Sequence, residues 1–266
     1  YKGKASSGSF IDCALYITFF PKIISGPIVL WKDFQPQIKE REISLNLSTD
    51  GLNRIIIGFA KKIMLADTFG ACLAEIGTQG IDSLTALGTL LLYMLQIYYD
   101  FAGYSDIAIG LAKLFGFEFK ENFNFPYRSK SISEFWRRWH ISLGAWMRDY
   151  LFYPFALTKP MQRFGKWATS HCGKHFGRVL PAAVANLLVF AVVGIWHGPQ
   201  AHYLAWGLYN GLVIALADLL EPAFKKLNTA LHIPTESRGW HVFRIVRTFI
   251  IVNIGWYFDR NEFVQG

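Results

Sequence analysis

Charge is scarce in this chain. Asp, Glu, Lys and Arg make up 17% of its 266 residues, where soluble domains carry roughly 25%. Acid is the scarcer sign: 19 carboxylates stand against 27 Lys and Arg, and residues 157–179 hold none. A basic balance can serve nucleic acid. Here, however, the basic residues lie mostly between apolar runs, which is the pattern of cytoplasmic loops in a membrane protein. That distribution argues against nucleic acid as a partner. Cysteine is sparse as well. Cys13, Cys72 and Cys172 are odd in number and match no metal motif, and Cys13 and Cys72 read as buried apolar residues. There is no phosphate-binding loop, no Gly-x-Ser-x-Gly elbow, no internal repeat and little strand signal.

Apolar and aromatic residues fill the space. Hydrophobic residues are 52% and aromatic ones 17% of the chain, with a mean hydropathy of +0.24. Several runs approach the length that crosses a bilayer. The expected fold is an all-α polytopic integral membrane protein with kinked and re-entrant helices. It forms one domain over residues 1–266, with both ends expected to be shortened.

Along the chain, Pro21, Gly26 and Pro27 break the apolar stretch 10–30, which suits a kinked or re-entrant helix. Residues 31–50 read as a polar loop, with Thr49 or Asp50 capping an amphipathic helix over 51–76. Residues 84–116 read as one span bent at Gly103, and 118–131 as loop. Ser131 or Ser133 caps an aromatic helix over 133–156, and Ser131 with Glu134 has capping-box spacing. The basic stretch 157–179 reads as a cytoplasmic loop. A membrane hairpin follows over 180–220, and a last span over 244–258.

Two histidines stand out. His197 ends a long apolar run between Trp196 and Gly198, with no acid within twenty residues on either side. A neutral imidazole there can act as general base toward a hydroxyl, and Gly198 leaves room for close approach of a substrate or another backbone. A core histidine bonded between helices is the alternative. His140 lies in a stretch, 133–150, that packs three Arg, three Trp, a His and an Asp into eighteen residues. On one continuous helix Arg137, His140 and Gly144 share a face. Arginines there suit either the phosphates of an anionic thioester carrier or those of lipid headgroups. Asp100 and Asp106 flank Phe-Ala-Gly-Tyr-Ser and are expected to pair with Arg137, Arg138 or Arg148. His171 and His175 have the helical spacing of a metal pair, but no acid lies nearby, so no metal is expected.

The chain resembles the membrane-bound O-acyltransferase family, in its alginate and peptidoglycan O-acetyltransferase branch. The resemblance rests on Phe20-Pro21, Ser25-Gly-Pro27, Asp100-Phe-Ala-Gly-Tyr-Ser-Asp106 and Asn122-Phe-Asn-Phe-Pro-Tyr127. It continues through Phe135-Trp-Arg-Arg-Trp-His140, Arg148-Asp-Tyr-Leu-Phe-Tyr-Pro154, Trp196-His-Gly198 and Trp206-Gly-Leu-Tyr-Asn-Gly211. It implies that His197 is the catalytic histidine and His140 the second active-site polar residue. Arg137, Arg138, Trp136, Trp196 and Asp100 would then bind substrate. It also implies a multi-pass protein of the bacterial inner membrane, lying in lipid. An acyl thioester, acetyl-CoA or a loaded acyl carrier protein, would arrive from the cytoplasm as co-substrate, with no permanently bound cofactor. The acceptor would be a periplasmic or extracellular relay protein or polysaccharide. Pro199-Gln200-Ala201-His202 departs from the branch pattern and leaves the acceptor open. Two rival readings stand: D-alanyl transfer to teichoic acid, and a proton-coupled transporter using His197 and Asp100.

Overall fold

The computed structural model describes residues 8–23, 25–76 and 82–260, so Tyr1-Lys2 and Gly266 lie outside the described residues. Among these, every regular element is helical, as expected for an all-α chain. The chain divides into two compact units. One holds residues 1–124 with His140–Leu143; the other holds Phe125–Trp139 with residues 144–266.

The first unit starts with α1 (Phe10–Thr18), whose Ser9 and Asp12 form a reciprocal capping box. Pro21 follows in a short 3-10 turn, so the 10–30 stretch is indeed broken. Residues 31–40, expected as loop, form α2 (Trp31–Glu40) despite Pro36. The reason is apolar spacing: Phe34 and Ile38, four apart, turn inward onto a cluster with Phe19, Val29, Ile109, Phe117 and Phe119. Phe34 stacks on Phe117 with centroids 4.6 Å apart. Next, α3 (Leu45–Phe59) is capped by Ser44 rather than Thr49 or Asp50. A π-helical stretch over Ala60–Ala66 carries it into α4 (Asp67–Ile76).

The longest element, α5 (Ser83–Leu114), is capped by Asp82 and runs unbroken for 32 residues. The expected bend at Gly103 is absent. Gly103 instead provides close packing. A Cβ on Gly58 would lie 2.7 Å from the Gly103 carbonyl oxygen, and one on Gly110 would lie 2.5 Å from that of Gly51. Two glycines seven apart on each helix thus let α3 and α5 meet backbone to backbone.

The second unit is built on α10 (Lys174–His197) and α11 (Ala201–Leu219). They form the expected hairpin around a short turn at Gly198–Gln200. The basic stretch before it is not a loop but α9 (Lys159–Cys172), with Pro160 in its first turn. Gly165 and Ala168 are buried while most of the basic residues face outward, so the charge belongs to one side of an amphipathic helix. Beyond α11, α12 (Glu221–Ala230) bends away by 55°. Last comes α13 (Arg238–Arg260), which packs on α11, with Tyr209 Oη donating to Ile251 O at 2.8 Å. Among the described residues, α10 alone is long and apolar enough to cross a membrane, and α11 with α12 passes the same test as a bent pair.

The aromatic stretch is divided. It forms α6 (Ile132–Arg138), α7 (Ile141–Met147), a π-helical turn over Arg148–Phe152 and α8 (Tyr153–Ala156). Ser131 caps α6, accepting from Glu134 N. The reciprocal bond is displaced by one residue, since the Glu134 carboxylate accepts from Lys130 N. All three cysteines are exposed, which corrects the burial expected for Cys13 and Cys72.

Candidate functional site

His140 sits where the aromatic helix breaks. Its φ is +45°, a left-handed conformation unusual for a residue other than glycine. The helix therefore ends at Arg138, and the shared face expected for Arg137, His140 and Gly144 does not exist. Backbone strain of this kind persists only when surrounding contacts over-determine it. Here Asn122 supplies them. Its backbone carbonyl accepts from Ile141 N at 2.9 Å. Its side-chain Oδ1 accepts from Ser142 N at 3.2 Å and Ser142 Oγ at 2.9 Å, and lies 3.1 Å from His140 Nδ1. Its Nδ2 donates to Ser105 Oγ at 3.1 Å. Ser142 Oγ in turn accepts from Ile28 N, and the Phe101 ring meets the imidazole edge to face at 4.7 Å. Asn122 is fully buried. In the sequence its place in Asn-Phe-Asn-Phe-Pro-Tyr is the available signal.

Asp100 and Asp106 pair with lysine and arginine of α3 and its π-helical extension, not with Arg137, Arg138 or Arg148 as expected. Asp106, 4% exposed, is held by Arg54 Nε at 2.6 Å and by Lys61. Arg54 also binds Glu121. Asp100 pairs with Lys62 at 2.7 Å. These carboxylates tie α5 to α3 and its π-helical extension.

In the second unit His197 is the last residue of α10 and is exposed. Aromatic rings surround it: Trp206 at 4.9 Å, Trp196 at 5.1 Å and Tyr203 at 5.9 Å between centroids. Gly198 is needed by the chain itself, because a Cβ there would lie 2.6 Å from both the Tyr203 ring and Gln200 Oε1. Trp196 is 60% exposed. Trp136 packs on Phe190 at 5.3 Å and on Trp206 at 5.6 Å, which places it one ring away from the ring that His197 touches. Trp256 stacks on Trp206 with centroids 6.1 Å apart. The indole nitrogens of Trp136 and Trp256 are buried and find no acceptor among the described residues. A buried donor without a partner is costly.

Arg137 is exposed. Arg138 pairs with Glu134 at 2.7 Å. Burial works against the Glu134 carboxylate, but the Lys130 amide and the arginines outweigh it and hold its pKa below the ordinary value. His202 is buried at 4% and packs against Tyr203, with centroids 4.1 Å apart. His171 and His175 are separated by the helix break at Gly173. His171 stacks on Trp167, and His175 Nε2 lies 3.1 Å from Asp218 O, so they make no i,i+4 metal pair. Among the described residues no cluster of His, Cys, Asp or Glu has the makings of a metal site.

Among the described residues one helix is long and apolar enough to cross a membrane, and a histidine exposed at its end among aromatic rings is a candidate acid–base group. The chain belongs to the membrane-bound O-acyltransferase family, whose model matches residues 1–255. It is 37% identical to the probable alginate O-acetylase AlgI of Pseudomonas syringae pv. tomato, over 98% of this chain and 46% of that protein. It is 32% identical to the peptidoglycan O-acetyltransferase of Helicobacter pylori, over 96% of this chain and 45% of that protein. It is also 32% identical to the teichoic acid D-alanyltransferase of Bacillus subtilis, over 91% of this chain and 59% of that protein. The chain thus spans about half the length of the curated relatives it matches.

Proposed function

We propose that this chain is the core of a multi-pass O-acyltransferase of the bacterial inner membrane. It moves an acyl group, acetyl in the first instance, from a cytoplasmic thioester to a hydroxyl for cell-surface polysaccharide modification. The observation that carries the reading is the family match along nearly the whole chain, with His197 exposed at the end of the membrane-crossing helix. His197 takes the proton from the attacking hydroxyl as its oxygen adds to the thioester carbonyl. The tetrahedral intermediate then expels the thiolate, which regains a proton. General-base help of this kind is worth about 10²–10⁴-fold, and holding donor and acceptor together adds a proximity term. Trp136 and Trp196 shape the donor site. The exposed Arg137, with Arg138 beside it in sequence, attracts the donor's phosphates. His140 is the second polar residue of the site, held by Asn122. The acceptor is a polysaccharide or an extracytoplasmic relay protein.

The test is His197→Ala in the full-length protein. Polysaccharide acylation should fall to background while membrane expression is unchanged. Acylation near the wild-type level would remove His197 from the mechanism. A second reading, D-alanyl transfer, is favoured by the match to the Bacillus subtilis protein. It differs in its donor. An acetyl-CoA thioester should be consumed by the purified full-length protein; consumption only of a loaded acyl carrier protein would favour the D-alanyl reading.

A further inference from the structure

We infer that Asn122 is a positioning residue that fixes the tautomer of His140, and so decides which kind of substrate group His140 can bind. The inference rests on His140 belonging to the active site. The orientation of the Asn122 amide is set first. Ser142 N, a backbone donor that cannot accept, points at one side-chain atom of Asn122 at 3.2 Å, so that atom is the carbonyl oxygen. An NH₂ group there would face an N–H head on. The opposite atom, the NH₂, then meets Ser105 Oγ at 3.1 Å, and a hydroxyl accepts that bond.

The consequence for the imidazole follows. The ring nitrogen 3.1 Å from an amide oxygen must carry a proton, so His140 Nδ1 is the N–H. In the neutral ring the lone pair is then on Nε2. Asn122 is fully buried and anchored at three further points: Ile141 N, Ser142 Oγ and Ser105 Oγ. It cannot turn to suit the other tautomer without leaving the half-buried Ser142 backbone N–H unsatisfied, which is costly. His140 makes this contact from a left-handed backbone conformation.

A neutral His140 held in this way accepts at Nε2 and does not donate there. It takes a hydroxyl, an amide N–H or a thiol of the substrate. It does not polarise the thioester carbonyl, a role that needs a donor. The pattern is that of a second group orienting an active-site base, with an amide oxygen in the place often held by a carboxylate.

Solid-state NMR of the full-length protein in lipid, labelled with ¹⁵N-histidine, tests this directly. The His140 signal is identified by its loss in His140→Gln, and is read at a pH where the ring is neutral. The expected result is protonated Nδ1 with unprotonated Nε2. A dominant Nε2–H ring would overturn the inference. Asn122→Asp keeps an acceptor at this place and should keep the Nδ1–H ring, whereas Asn122→Leu should lose that preference. A folded Asn122→Leu with an unchanged spectrum would also overturn it. If Asn122→Leu does not fold, the wild-type and Asn122→Asp spectra carry the test. Acyl transfer should drop about 10²-fold or more in Asn122→Leu and recover partly in Asn122→Asp. The Nδ1–H signature together with full transfer by His140→Ala would uphold the tautomer and reject the active-site role of His140.

Discussion

Asp106 shows how a single side chain can hold two helices. It is nearly buried on α5 and satisfies both Arg54 and Lys61 from the facing helix. Breaking a buried pair by removing one partner leaves the other charge uncompensated. Asp106→Asn should therefore destabilise the protein by about 3 kcal/mol, the low end of the range for buried pairs, because Arg54 and Lys61 keep part of their surface in contact with solvent. Thermal unfolding of the full-length protein in detergent would read this as a lower midpoint; an unchanged midpoint would make the pairing incidental. The sequence showed that Asp106 needed a cation, but named Arg137, Arg138 or Arg148. Side-chain partners across helices depend on register, and composition carries no register. Ser131 was legible for the opposite reason: an N-cap is a local device, decided within four residues. Asn122 was not legible as the support of His140, since its five anchoring contacts reach residues 17 to 20 positions away.

At the scale of elements, α10, α11 and α13 could be read from apolar runs, because a nearly continuous apolar segment leaves few alternatives. Two stretches could not. The basic run before α10 looked like a loop because its charges were counted without their periodicity; Pro160 at the helix start and the buried Gly165 and Ala168 were the signal. The aromatic stretch looked like one helix because nothing in Trp139-His140 forbids helix. Its break is imposed by bonds from Asn122. Gly103 was read as a hinge, yet its role is to let α3 approach. Gly58→Leu should force α3 and α5 apart, at a cost of about 1–3 kcal/mol from overpacking. Gly88→Leu, on α5 with no atom within 4 Å of its Cβ position, serves as the control. Equal melting temperatures for the two variants would contradict the close-packing account.

On the scale of the whole molecule, family membership joins residues that lie far apart in the sequence. The motifs run in one order from Phe20 to Gly211, and the family model extends over residues 1–255. Physical reading supplied the helices, the scarcity of acid and the two conspicuous histidines, but it left His197 open between a core contact and a base. Its exposed position at the end of α10, ringed by Trp196, Tyr203 and Trp206, favours the base. The most direct measurement is single-turnover acyl transfer by the purified full-length protein in lipid vesicles, from an acetyl thioester to an acceptor hydroxyl, with wild type and His197→Ala compared at equal protein and equal melting temperature. His197→Ala should lose about 10²-fold or more in rate. A rate within a few-fold of wild type would contradict His197 as the base.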